Sequence, residues 1–256
     1  MKTLVVAQQK GGVGKTSSLV HLAFDFLERG LRVAVIDLDT QGNASFTLQD
    51  FASGYMASHM FDMDGDNLRK CFRDLPEGPL MRLIESDAVL ANMEKRSLTE
   101  AAASFKENVK ALADSGFDVV LVDTAPALGV SLAAALYAAD SVLSPIELEA
   151  YSIQGIKKML TTIMNIRKMN PKLKFLGMVP SKVDARNPRH VRHQVELEAA
   201  YPQLMIPAGI GLRSSIADAL ASRVPVWKIK KTAARKAAQE VRALAAYVFE
   251  KMEIAQ

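Results

Sequence analysis

The chain is 256 residues long, 49% of them hydrophobic, with a formal net charge of +4. That length buries a sizeable core and fits one large domain, residues 1–256, better than two small ones. Its one cysteine, Cys71, excludes an internal disulfide and a cysteine-rich metal or iron–sulfur site, and points to a reducing cytoplasm. No run approaches the roughly 18 apolar residues of a spanning helix.

The elements alternate along the chain. Met1–Ala7 reads as a strand rather than a signal peptide, because Gln8, Gln9 and Lys10 interrupt it before an apolar core could form. A glycine-rich turn, Lys10-Gly11-Gly12-Val13-Gly14-Lys15-Thr16, follows and opens a helix over Thr16–Arg29, with Leu19, Leu22, Ala23, Phe26 and Leu27 on one face and Gly30 as its stop. Val33–Leu38 is the next strand and ends in Asp37-Leu38-Asp39. Residues 54–79, with Gly65, Pro76, Gly78 and Pro79, are the least regular stretch and read as loops and short helices. A long helical pattern runs from about Asp87 to Ala113. The strand Val119–Val122 then leads into Asp123-Thr124-Ala125-Pro126, and further strands read at Ser141–Ile146 and Phe175–Val179. A last helix runs from Thr232 to near the C-terminus, with Lys236, Glu240 and Arg242 on a polar face. Strands apolar on both faces and separated by helices imply a three-layer α/β fold, a mainly parallel sheet flanked by helices.

Charge is distributed unevenly. Residues 1–150 hold 13 Lys+Arg against 21 Asp+Glu, a net −8, whereas residues 151–256 hold 19 against 7, a net +12. A basic half of this kind suits a polyanionic partner.

A strand, a glycine turn and Lys-Thr at a helix start form the setting of a phosphate-binding loop. Glycines let backbone N–H groups close around phosphate oxygens, and the helix N-terminus adds positive potential. Gly11, Gly12, Val13 and Gly14 are therefore candidate nucleotide-binding residues. Lys15 is the candidate for the β- and γ-phosphates, Thr16 for Mg2+ and Ser17 for the α-phosphate region. Alternation puts Asp37 and Asp39 on one side of their strand. Asp123, at the carboxyl end of a buried strand, is a further candidate metal ligand.

The ordinary loop pattern expects glycine where this chain has Gln9, and an additional lysine, Lys10, begins the motif instead. With this deviant Walker A signature the sequence resembles the ParA/MinD superfamily, and the P-loop NTPase fold is what that resemblance implies. It further implies that Lys10 reaches the partner's nucleotide across an ATP sandwich dimer, that Asp39 positions the attacking water, and that Asp37 supports the Mg2+ shell. Thr40 and Ala125 stand where the superfamily usually has proline. The likeness extends through Pro145–Gly155 and through Pro207–Val226, which resembles its P-x-x-x-x-[LV]-R-x-S segment and adds Pro207 to the nucleotide-binding candidates.

Starting at its first strand, the chain resembles the short ParA form without an operator-specific domain. Such proteins bind nonspecific DNA through C-terminal basic residues, here Arg186, Arg189, Arg192, Arg213, Arg223, Lys228, Lys230, Lys231, Arg235 and Lys236. The expected protein is thus a cytoplasmic, nucleoid-associated ATPase using ATP and Mg2+, a homodimer with a ParB-like or other cargo adaptor. One alternative is a MinD-like membrane-associated ATPase, which the tail Glu250-Lys251-Met252-Glu253 suits poorly. The other is a metabolic P-loop enzyme acting on a small molecule. His21, His59, His190 and His193 lack metal-ligand spacing and read as packing or surface residues.

Overall fold

The computed structural model describes residues 1–62, 65–149 and 152–254, the side chains of residues 152–154 excepted. Among these residues, eight strands build one sheet: β1 (Lys2–Val6), β2 (Arg32–Leu38), β3 (Ala52–Met56), β4 (Leu80–Glu85), β5 (Val119–Thr124), β6 (Ser141–Ile146), β7 (Lys174–Val183) and β8 (Ile210–Gly211). Their spatial order is β3-β4-β2-β5-β1-β6-β7-β8, and every pairing is parallel.

Parallel strands need crossovers, and the helices that supply them cover both faces. They are α1 (Lys15–Glu28), α2 (Asn43–Thr47), α3 (Gly65–Cys71), α4 (Leu98–Asp114), α5 (Val130–Ala138), α6 (Ser152–Arg167), α7 (Pro188–Ala200), α8 (Ser214–Ala221) and α9 (Thr232–Lys251). Side-chain alternation sends each strand into two cores. Val5, Ala34, Ile36, Val120 and Val122 pack with Phe105 and Leu112 of α4 and Leu132 and Leu136 of α5. Leu4, Val6, Val33, Val35, Val119 and Leu121 pack on the opposite face with Leu19, Leu22 and Phe26 of α1 and Leu244 and Val248 of α9. Burying each such side chain contributes about 1.5–3 kcal/mol.

Three expectations change. The helical pattern expected from Asp87 to Ala113 is broken: a 3-10 turn spans Ala88–Lys95, Arg96 is extended, and α4 starts only at Leu98. Arg96 explains the break, since its guanidinium donates to the Phe61 carbonyl at 2.7 Å and to Asp62 at 3.0 Å. Strands β3, β4 and β8 lie where the pattern gave none, β3 running into the start of the irregular stretch, while the short helix α3 falls within that stretch as expected. The polar face of α9 is engaged rather than solvated. Arg242 pairs with Asp25 and Glu28 of α1 and stacks 3.7 Å from the Trp227 ring, while Trp227 Nε1 donates to Glu28 at 2.8 Å. Asp25 is fully buried and also accepts from Arg29, so its charge is compensated by two guanidiniums. Beyond this tie, Val248, Met252 and Ile254 are buried against the domain.

Strand β7 carries a register shift opposite Val142 and Leu143, and just there Gly177 adopts φ +126°. A Cβ at this position would stand 2.7 Å from the Leu204 carbonyl oxygen, a backbone atom that cannot swing aside. Gly177→Ala is therefore expected to lose about 1–3 kcal/mol of stability, read as a lower urea midpoint; an unchanged midpoint would contradict the tight approach.

Candidate active site

The carboxyl ends of β1, β2 and β5 meet at one edge of the domain, and register makes their polar residues neighbours. Val6 is opposite Asp123, and Asp123 is opposite Asp37. Residues 33, 35 and 37 of β2 and residues 119, 121 and 123 of β5 alternate onto the face that carries α1. Both aspartates thus point to the helix that the glycine loop opens.

That loop is built on a left-handed turn. Gly14 has φ +91°, and a Cβ there would meet the Ser181 hydroxyl at 2.6 Å. Only glycine satisfies both conditions. From the loop, Lys15 turns back so that its Nζ lies 3.5 Å from the Lys10 carbonyl, and it is 6% exposed. Burial lowers its pKa, and the nearby charges of Asp123 and Asp39 oppose the shift. Thr16 donates to Asp123 at 2.6 Å. Asp37 accepts from the Ser45 amide and hydroxyl, both at 2.8 Å, and from the Asp39 amide at 3.1 Å. Asp39 caps the next turn by accepting from the Gln41 amide at 3.0 Å.

A cavity of about 510 Å3 opens over these groups. Its walls include Gly11, Gly12, Gly14, Lys15, Thr16, Ser17 and Asp39, so the structure brings together most of the residues expected to hold nucleotide. Val13 is buried beneath the loop, and the Ser17 hydroxyl donates to the Gly14 carbonyl at 3.1 Å. Gln41, Asn43, Phe46, Thr47, Pro126, Lys182, Leu220 and Ala221 complete the walls. Lys10 does not line this cavity. Its ammonium turns outward onto Glu147 at 2.7 Å and Glu149 at 2.5 Å, which raise its pKa through those hydrogen bonds. Pro207 also lies apart, in a second cavity of about 350 Å3 that includes Arg213, Lys236 and Glu240.

Two buried carboxylates side by side are short of positive charge. Burial, then the Asp37 charge, push the Asp123 carboxyl up to about 8, against the Thr16 hydrogen bond and the Lys15 charge; Asp37 shifts upward for the same leading reason. An oxygen-rich, charge-deficient pair beside a hydroxyl fits a hard cation such as Mg2+, which takes few protein ligands and completes its shell with phosphates and water.

The basic candidates separate into groups. Arg213 is fixed by Glu240 through hydrogen bonds of 2.8 and 2.5 Å, with the Gly211 amide on the same carboxylate at 3.0 Å. This internal tie removes it from the set of free basic contacts. Lys231 pairs with Asp218 at 2.7 Å, and Arg223 stacks 4.7 Å from the Phe46 ring. Arg186 bonds Asp184 at 3.1 Å yet its side chain is 91% exposed, and Arg192 lies 3.9 Å from Glu196. Arg189, Lys228, Lys230, Arg235 and Lys236 are exposed. Sequence reasoning missed Ser45, Lys182, Glu147 and Glu149, which lie outside the loop motifs and acquire their roles only through folding.

Strand, glycine loop, Lys-Thr helix start and paired buried acids define a P-loop ATPase. Comparison with known proteins narrows this further. The chain belongs to the AAA domain family, which matches residues 1–175, and to the ParA/MinD superfamily. It is 71% identical to Protein IncC of Escherichia coli over all of this chain and 71% of that protein. It is 33% identical to the chromosome-partitioning ATPase Soj of Thermus thermophilus over 78% of this chain and 77% of that one. Among solved structures, the ATP complex of Cyanothece McdA superposes with a TM-score of 0.77 at 23% identity, covering 100% of this chain and 98% of that one. Cobyrinic acid a,c-diamide synthase of Mycobacterium smegmatis, solved with an ATP analogue and magnesium, gives 0.72 at 28%, covering 97% and 95%.

The raised Asp123 carboxyl has a measurable consequence. Its pKa rises from about 4 unfolded to about 8 folded, so its ionisation costs stability progressively between those pH values and by a constant amount above them. Asp123→Asn removes that cost. In nucleotide-free protein its melting temperature should exceed that of the wild type by a margin that widens as pH rises through this interval, while Mg2+-dependent ATP affinity falls. A lower melting temperature than wild type at the alkaline end would contradict the charge-deficient pair.

Proposed function

We propose that residues 1–256 act as a single partition-type ATPase domain, in which ATP binding drives a sandwich homodimer that holds nonspecific DNA and hydrolysis, stimulated by a ParB-like or other adaptor, releases it. The observation that carries this reading is Lys10. A lysine in the phosphate loop that turns away from its own cavity, half exposed on the surface, can reach a second subunit once it exchanges Glu147 and Glu149 for the partner's phosphates. The 71% identity to IncC and the kinship with Soj support a partition role.

In this reading Lys15 neutralises the β- and γ-phosphates and Asp39 orients the attacking water. Thr16, Asp37 and Asp123 would hold Mg2+, which supplies charge neutralisation on the phosphates when bound. Little covalent chemistry is required of the protein beyond positioning and electrostatics. For DNA, the exposed residues Arg186, Arg189, Lys228, Lys230 and Arg235 are the proposed phosphate contacts, with Lys231 and Arg223 available after exchange of their present partners. Such contacts give affinity without base preference. No described helix is long and apolar enough to cross a membrane, and Val248, Met252 and Ile254 are buried against the domain. Likeness to the diamide synthase favours a second reading, amidation of a small molecule, at much lower identity.

DNA retention separates the two. Retention is expected with ATP but not with ADP or without nucleotide, falling steeply with salt, and Lys10→Gln is expected to abolish both it and the ATP-dependent dimer seen by light scattering. Equal retention in all nucleotide states would overturn the switch. Asp39→Ala should stabilise the ATP dimer and lower turnover at least tenfold, a loss of about 1.4 kcal/mol in transition-state stabilisation; rapid turnover in that variant contradicts its role.

A further inference from the structure

One segment touches both acidic loops of the site. At its start, the Ser86 hydroxyl donates to the Asp39 carbonyl at 2.6 Å. The Ser86 amide donates to Ser45 Oγ at 2.9 Å, and that hydroxyl donates onward to Asp37 at 2.8 Å. At its end, the Glu94 carboxylate accepts from the Val130 amide at 2.8 Å and lies 3.5 Å from both the amide and the hydroxyl of Ser131. Val130 opens α5, the helix that follows the Asp123 loop.

The segment is anchored between those ends. Leu90 and Met93 are buried in the core, Asp87 caps the turn by accepting from the Val89 amide at 2.8 Å, and the same carboxylate accepts from the Ser58 amide at 2.9 Å. Arg96 pins the exit on Phe61 and Asp62. The fit at Glu94 is close: a Cβ on Gly129 would fall 2.2 Å from both carboxylate oxygens. Under the turn lies a cavity of about 280 Å3 lined by Leu38, Thr40, Leu90, Ala125 and Leu128, so the Asp39 and Asp123 loops share one space against the same segment.

We propose that residues 86–94 form a strap that couples the two acidic loops, with Ser86 and Glu94 as its positioning residues. It rests on the roles given above to Asp39 and Asp123. Neither strap residue lines the nucleotide cavity; each acts through another group. Displacing the Asp39 backbone pulls on Ser86, the anchored turn transmits the pull, and Glu94 shifts the start of α5 and the loop before it. Rigid, packed elements carry such coupling where both ends have discrete partners.

The test perturbs one end and reads the other. Ser86→Ala should raise amide hydrogen exchange across residues 125–131, and Glu94→Ala should raise it across residues 39–45. A purely local structural role leaves the far end unmoved, and that outcome overturns the strap. Each variant should lower kcat about three- to tenfold, the kinetic equivalent of one hydrogen bond, with ATP affinity held within about twofold because the P-loop is untouched. The double variant should be no slower than the slower single, since both break one path; multiplying effects, or matched losses in affinity, overturn the proposal. Ser86→Thr and Glu94→Gln retain a hydroxyl donor and a carbonyl acceptor and should recover part of the rate, which separates positioning from misfolding. If Asp39→Ala still turned over rapidly while the exchange coupling persisted, the water-positioning reading would fail and the strap would stand.

Discussion

Everything at the site follows from putting two aspartates side by side in a dry place. Asp37 and Asp123 are opposite one another on adjacent parallel strands, and both are fully buried. In that setting like charges repel strongly and water cannot screen them. Lys15, Thr16 and Ser45 relieve the strain only partly, which leaves an edge of the sheet that a cation and a phosphate chain would complete. The cost is borne by the two cores on either side of the sheet, whose apolar strands β1, β2 and β5 hold the pair in register. Destabilisation at a site and surplus burial elsewhere is a common division in functional proteins.

Much of this was legible in the sequence, for reasons that differ by residue. The strands β1, β2 and β5 each hold a short apolar run rich in valine (Leu4–Val6, Val33–Ile36, Val119–Val122), and β6 a shorter one around Val142 and Leu143, which made them readable as buried strands. Gly14, Lys15 and Thr16 announce themselves because phosphate binding needs a fixed local spacing. The break before α4 was not legible, because helical periodicity continues on both sides and the Arg96 contacts to Phe61 and Asp62 that accompany it join distant parts of the chain. Strand β4 was hidden behind the Gly78-Pro79 turn. By contrast, Glu147 and Glu149 on Lys10, Ser45 on Asp37, and Glu94 on α5 are contacts between distant parts of the chain. No spacing rule finds them.

The basic half illustrates how composition overstates a surface. A net +12 suggested a broad cationic face, yet Arg213 is consumed by Glu240 and Arg242 by Asp25 and Glu28. These guanidiniums fasten α9 to the rest of the domain, where their planar forks suit bidentate carboxylates. The lysines and arginines left outside are spread along α6 and the loop after it (Lys157, Lys158, Arg167, Lys168, Lys172) as well as at the entries to α7 and α9. Arg223 is a different case, since its stack on Phe46 puts it on a residue of the nucleotide cavity wall.

Glu94 and Gly129 share one space. The carboxylate occupies the volume into which a side chain at residue 129 would grow, yet it is the exposed far end of a flexible side chain and can swing aside. A larger residue at 129 would therefore meet no backbone obstacle; it would instead displace Glu94 from the Val130 amide and strip the start of α5 of this acidic partner. The consequence of change beside the Asp123 loop is thus a loosened helix entry rather than a packing clash.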